Sequence, residues 1–303
     1  MHIPNGFLTD PVCAASTVAS MAALGVGYAK ARQFDSSRWA ALMAATGAGV
    51  FAAQMVNFPI DHGTSGHVLG AALAAIVLGP WRGMLTMAIV LAAQCFLFGD
   101  GGASALGANI LNMAVAPALV ASVLYRSATH YVAGTQGKLL GAGLAAMGSV
   151  LASATLCSIE LAASGTYGLA DVFSAMIGIH ALIGMCEAIL TVAIVAALVA
   201  ARPAGRSLST RQLVAGGLIL AVAVAGLLAP LASTAPDALD RVAQDLNFAS
   251  FAAPSWAIAP DYAAPGIGWP ALAVALAGIA GVLFVFVSAY TLGRAARVRV
   301  RKQ

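Results

Sequence analysis

Charge is what this chain has least of. Only 9% of its 303 residues are Asp, Glu, Lys or Arg, against 61% hydrophobic residues and a mean hydropathy of +0.91, too apolar for a water-soluble domain. Cysteine is scarce as well. Cys13, Cys95, Cys157 and Cys186 lie in or beside apolar runs without CxxC spacing, which excludes a zinc or disulfide framework and leaves them as small packing residues. HExxH is absent, and the Gly-rich stretch FGDGGASALG at 98–107 lacks the GK[ST] ending of a phosphate loop, so neither a zinc peptidase nor a nucleotide-binding site is expected. Polar or charged rings along several helices, which an ion channel needs, are missing. The apolar runs show no sustained alternation, which excludes an outer-membrane barrel. With no Lys or Arg in the first ten residues, a cleavable leader is not expected and Met1 is expected to stay.

Long apolar runs bounded by charge clusters are what is present, and they predict an all-α polytopic helical bundle. The runs cover about 11–28, 38–56, 67–78, 83–98, 105–125, 139–162, 172–200, 213–231 and 270–292, predicting about nine membrane helices. The third, from His67 to Leu78, spans about 18 Å, too short for a core of about 30 Å, and predicts a half-buried helix carrying His67 at its N-terminal end. The basic stretch RPAGRSLSTR at 202–211 reads as a cytoplasmic linker. It divides a seven-helix part, 1–201, from a two-helix hairpin, 212–303, enclosing a long outer loop at 232–269 without obvious structure.

Counting loops alternately, fourteen of the fifteen basic residues fall on one side, with only Arg241 opposite. The positive-inside rule then predicts an external N-terminus and a cytoplasmic C-terminus. The net charge of +4 is topological and implies membrane lipid rather than nucleic acid as the partner. Met1, His2, His62 and His67 all fall on the outer side. A free α-amine followed by His2 is a ready-made chelator, because the amine, the His2 amide nitrogen and the imidazole Nδ1 close adjacent rings on one metal ion. One further imidazole, from His62 or His67, completes a four-nitrogen plane of the kind that suits Ni(II) or Cu(II).

Several blocks in order carry a family resemblance: MHIPNGFL at the start, NFPIDHGTSGHVLGAALAAIVLGPWRG, FGDGGASALGANILNMAVAP and GIHALIGMCEAILT. They resemble the metal-capture membrane subunit of cobalt/nickel energy-coupling-factor transporters. The later APDALDRVAQDLNF and PDYAAPGIG are similar to the small two-helix accessory subunit of the same systems, here in one chain. Departures are Asn5, where an acidic residue is common, and PDALD in place of a PDGLE-like motif. The resemblance implies a non-enzymatic subunit of the bacterial cytoplasmic membrane that captures Ni2+ or Co2+ as cargo and binds no nucleotide. Its implied ligands are the Met1 amine, the backbone nitrogen and imidazole of His2, and His67, with His62 a lesser candidate. Its implied partners are a transmembrane coupling subunit and a cytoplasmic ABC ATPase. Nickel is the first choice of cargo and cobalt the alternative; a membrane metal sensor is the remote one, since no cytoplasmic effector domain is present.

Asn109 and Asn112 lie three apart on one helix and either orient His67 and its loop or cap and pack the helix. Glu187 and His180, two turns apart on one face, read first as a buried hydrogen-bonded pair, with a relay of motion to a coupling subunit as the second reading and a direct metal role as the remote one. Glu160 reads as interfacial, and Asp61 either draws cations to the mouth or is a solvated loop carboxylate.

Overall fold

The computed structural model describes residues 1–32, 37–61, 63–201 and 209–296. His62, residues 202–208 of the expected linker and the basic tail from 297 lie outside the described residues. The chain is an all-α membrane bundle. Its helices are α1 (Asp10–Ala31), α2 (Ser37–Gln54), α3 (Ala71–Leu78), α4 (Pro80–Ala93), α5 (Leu106–Ile110), α6 (Ala116–Tyr131), α7 (Gly134–Ala163), α8 (Leu169–Ala200), α9 (Thr210–Ala223), α10 (Ala238–Asp245) and α11 (Pro270–Ala295). Among the described residues seven helical stretches are long and apolar enough to cross a membrane, fewer than the nine runs expected. The two runs that fall outside that set are α2, of 18 residues, and α3, of eight.

The third run differs most from expectation. Phe58–Asp61 (β1) and Thr64–Gly66 (β2) form an antiparallel hairpin, and α3 begins only at Ala71, after Gly70 at φ +77°. His67 therefore sits in the irregular segment between the hairpin and the helix. The sequence explains the hairpin locally: Phe58, Ile60 and Thr64 favour extended backbone, and Gly63 takes the left-handed turn position. α3 is buried rather than half-buried, with Ala71, Ala72 and Ala74 fully enclosed. It is small-sided so that α4 can lie against it: a Cβ on Gly83 would stand 3.0 Å from the Ala75 backbone nitrogen. Gly79, at φ +78°, and Pro80 reverse the chain between the two helices.

Among the described residues three wide turns interrupt the bundle, at Gln94–Phe98 after α4, at Leu111–Val115 between α5 and α6 and at Val224–Leu228 after α9. Such π-type turns rotate side chains out of the ordinary helical register, and the first two carry the buried amides Gln94 and Asn112. The C-terminal helices α9 and α11 pack on α2. A Cβ on Gly281 of α11 would lie 2.3 Å from the Phe51 ring, so the helices meet only because that position is glycine.

The outer loop 232–269 is structured, contrary to expectation. Asp237 caps α10 by accepting the Asp240 amide at 2.9 Å. Backbone bonds run from Ser233 N–H to the Asn57 carbonyl, Ser65 N–H to Pro236, Ala253 N–H to Asn5 and Ala259 N–H to Leu97, at 2.8–2.9 Å. They lay the loop across the hairpin, the N-terminal segment and the end of α4. Leu239, Val242 and Ala243 of α10 are buried in one cluster with Met1, Ile3, Phe7 and Leu8.

Candidate metal centre

Three stretches distant in sequence converge: residues 1–5, the turn 99–102 and the segment 64–70. The N-terminal segment is held by its backbone. Asn109 Oδ1 accepts the Ile3 N–H at 2.8 Å, Asn109 Nδ2 donates to the Ile3 carbonyl at 3.0 Å, and Gly102 N–H donates to that carbonyl at 2.8 Å. The approach depends on glycine, since a Cβ on Gly102 would lie 2.2 Å from the Asn5 backbone nitrogen. Met1 and His2 are consequently buried, each 7% exposed.

His67 arrives from the opposite side and stacks on His2, with ring centroids 5.4 Å apart and planes inclined by 29°. Its Nδ1 lies 3.0 Å from the Val68 carbonyl, which can only accept, so Nδ1 carries the proton and Nε2 the lone pair. Burial, reinforced by the Met1 amine and His2, pushes the His67 imidazole down to about 4 and keeps it neutral, as a ligand must be.

A chain of buried amides fixes His2 in the same way. The Leu69 carbonyl accepts from Gln54 Nε2 at 2.7 Å, Gln54 Oε1 accepts from Gln94 Nε2 at 2.8 Å, and Gln94 Oε1 faces His2 Nε2 at 3.1 Å. Because a carbonyl has no proton to give, every bond in the chain has one direction, and it ends with His2 Nε2 as a donor. Nδ1 is left as the variable position. It lies 3.0 Å from Asp100 Oδ1, outside hydrogen-bond geometry. Burial alone would raise the Asp100 carboxyl, but the facing His2 and the Tyr262 hydroxyl, which donates to it at 2.6 Å, outweigh burial and hold it well below the usual carboxylate range. A cation on His2 Nδ1, proton or metal, thus has a carboxylate beside it. Asp237 does the same for the Met1 amine, accepting from it at 2.5 Å. Burial lowers that amine, yet Asp237 prevails and raises it, while Asp237 itself is held below its ordinary value.

Met1, His2 and His67 are therefore brought together, and Asp61 ends β1. Other expectations are corrected. Glu187 and His180 do not bond to one another: Glu187 accepts the Leu69 and Gly70 amides at 2.6 and 2.9 Å, and His180 Nδ1 faces the Met176 carbonyl at 2.7 Å. The backbone behind His67 turns inward with two unpaired amides, and the deep carboxyl serves them. Asn109 grips Ile3 rather than the His67 loop, and Asn112 donates to Glu160 at 2.5 Å. Glu160 is buried at 7% exposure, not interfacial, and also accepts from Ser16 at 2.7 Å. Gln54, Gln94, Asp100, Tyr262 and the amine contact of Asp237 had no sequence signal beyond the lone acid in FGDGG and the polar amides inside apolar runs.

The family model described as the cobalt uptake substrate-specific transmembrane region matches residues 2–205, and the PDGLE domain matches residues 211–298. The putative fused nickel transport protein NikMN of Archaeoglobus fulgidus is 35% identical over 310 residues, covering 98% of this chain and 99% of that protein. The cobalt transport protein CbiM of Lachnoclostridium phytofermentans is 32% identical over 54% of this chain and 64% of its own length. A crystal structure of a truncated transition metal transporter superposes with a TM-score of 0.58 at 32% identity, over 67% of this chain and all of that one.

Proposed function

This chain belongs to the family of cobalt-uptake substrate-specific transmembrane proteins, with a PDGLE domain behind that region, and from this premise we propose that it captures Ni2+ for an ATP-driven uptake transporter. The observation that carries the proposal is the meeting of the Met1 amine, His2 and His67 in one buried place, with the ring protons of both histidines on the nitrogens that point away from a chelate. The cargo takes the amine, the deprotonated His2 amide, His2 Nδ1 and His67 Nε2. Four nitrogens suit square-planar Ni(II), and the amine and amide surrender their protons to it. Cobalt is the second reading, supported by the family description and by the CbiM relative.

The family is one of transport proteins rather than enzymes. Hydrolysis of ATP falls to a separate cytoplasmic ABC ATPase, joined to this chain through a transmembrane coupling subunit. The subunit sits in a bacterial cytoplasmic membrane with its N-terminus outside and C-terminus inside, as its basic loops favour. Residues 1–201 form the capture part and 212–303 the accessory part, whose outer loop covers the chelate.

The test is to extend the chain before Met1 by one residue, which moves the amine off the chelate. High-affinity Ni2+ binding is expected to vanish while thermal unfolding of the metal-free chain is unchanged. A tagged N-terminus that still binds Ni2+ normally would refute the ligand set. Metal analysis of protein from cells given equal trace nickel and cobalt separates the two cargoes.

A further inference from the structure

One nitrogen near the chelate has no assigned role. His180 lies within α8 and is fully buried, yet its Nε2 has no hydrogen-bond partner. Its protonation pattern is set by geometry: Nδ1 faces the Met176 carbonyl at 2.7 Å, which can only accept, so Nδ1 carries the proton and Nε2 a bare lone pair. A buried acceptor without a donor calls for an explanation. His180 lines one small cavity together with Met1, His67 and Asp237, closed on other sides by Val150 and Ile183.

We propose that His180 Nε2 is a donor to the cargo itself, forming with His67 an inner two-imidazole station that a borderline divalent cation of the nickel and cobalt class occupies on leaving the chelate. The station rests on the capture reading and deepens it, since His67 is shared between the two positions. Imidazole nitrogen is the donor such ions favour. Among the described residues no three His, Cys, Asp or Glu side chains already converge tightly enough to hold a metal. The station is accordingly weak, and a transit position must be weak enough for the ion to leave. The ion remains divalent throughout. As it leaves the chelate, the His2 amide and the Met1 amine regain the protons released on binding, and the amine returns to Asp237.

Substitution His180→Asn tests this cleanly, because the asparagine amide can still donate to the Met176 carbonyl while the distal ring nitrogen is deleted. The probes are NiCl2 and CoCl2 titrated into the purified full chain, with thermal unfolding of the metal-free protein as the folding control. In a His2→Ala background a residual site about a hundredfold weaker than the chelate is expected, and adding His180→Asn should abolish it. Alone, His180→Asn should leave chelate affinity unchanged and lower uptake by the assembled transporter about tenfold. A residual site indifferent to His180→Asn, the absence of any residual site in His2→Ala, or full uptake by the single variant would each overturn the station. Wild-type affinity in His2→Ala would instead overturn the chelate reading beneath it.

Discussion

Gln54 touches no proposed metal ligand, yet the amide chain makes it decisive for metal binding, and Gln54→Leu tests that directly. The substitution removes the 2.7 Å bond to the Leu69 carbonyl and the 2.8 Å bond from Gln94. Two buried groups lose their partners, at about 1–3 kcal/mol each, so the metal-free chain should lose about 2–6 kcal/mol of stability at most and less where a water enters. The larger consequence is directional. With Gln54 gone, the Gln94 amide is free to turn its NH2 toward His2 Nε2, which drives the ring proton onto Nδ1, 3.0 Å from the Asp100 carboxylate whose charge favours it there. Metal binding then has to reverse the tautomer. An orientation preference of about 1.4–2.7 kcal/mol, one or two hydrogen bonds, reduces the competent fraction to about 0.1–0.01 and weakens apparent Ni2+ affinity about 10- to 100-fold. Competition titration against a chelator measures the affinity, and nitrogen-15 shifts of a labelled His2 report which ring nitrogen is protonated. A folded Gln54→Leu variant that binds Ni2+ like the parent, with its proton still on Nε2, would refute this reasoning.

Three further outcomes are expected. Ni2+ affinity should fall about tenfold per pH unit for each proton released as pH drops below 8, because the Met1 amine is raised above its ordinary 8.0, whereas His67, at about 4, adds no proton competition above pH 5; titration in buffers of differing ionisation enthalpy counts the protons. The Met1–Asp237 pair should hold the outer loop down in a defined window: Asp237, lowered in the fold, stabilises above its ordinary 3.8 and fails as pH falls through its folded value, while the raised amine stabilises below 8.0 and fails as pH rises through its own. Asp237→Asn should therefore expose loop 232–269 to limited proteolysis at neutral pH and shift Ni2+ binding toward lower pH, and an unchanged digestion pattern would count against the pair. Glu187→Gln exchanges one of two amide acceptors behind His67 for an NH2 group that cannot accept, and should weaken Ni2+ binding about tenfold without removing a ligand; full affinity in that variant would relieve Glu187 of its positioning role.

Sequence alone carries the membrane class, the all-α fold and the order of the spans, because in lipid each backbone must satisfy its own hydrogen bonds and the apolar runs that do so are written one after another along the chain. It also pointed to His2 and His67, since a second-position histidine and a histidine loop are local features, and the ordered blocks placed the chain in its family. Where a run was short and its residues small, local pattern fell short: nothing in positions 58–78 distinguished a hairpin and a late-starting α3 from one helix beginning at His67. The buried polar groups were the least legible. Glu187 and His180 share a helical face, so local geometry paired them, but tertiary structure brought two unpaired backbone amides to Glu187 and left His180 facing a cavity. Asp237 meets the Met1 amine across 236 residues of chain, and Gln54 meets Gln94 across 40. Contacts of that kind are decided only when separate helices pack, because a polar atom shut away from water takes whichever partner the fold places beside it, and that partner leaves no mark in its neighbours along the sequence.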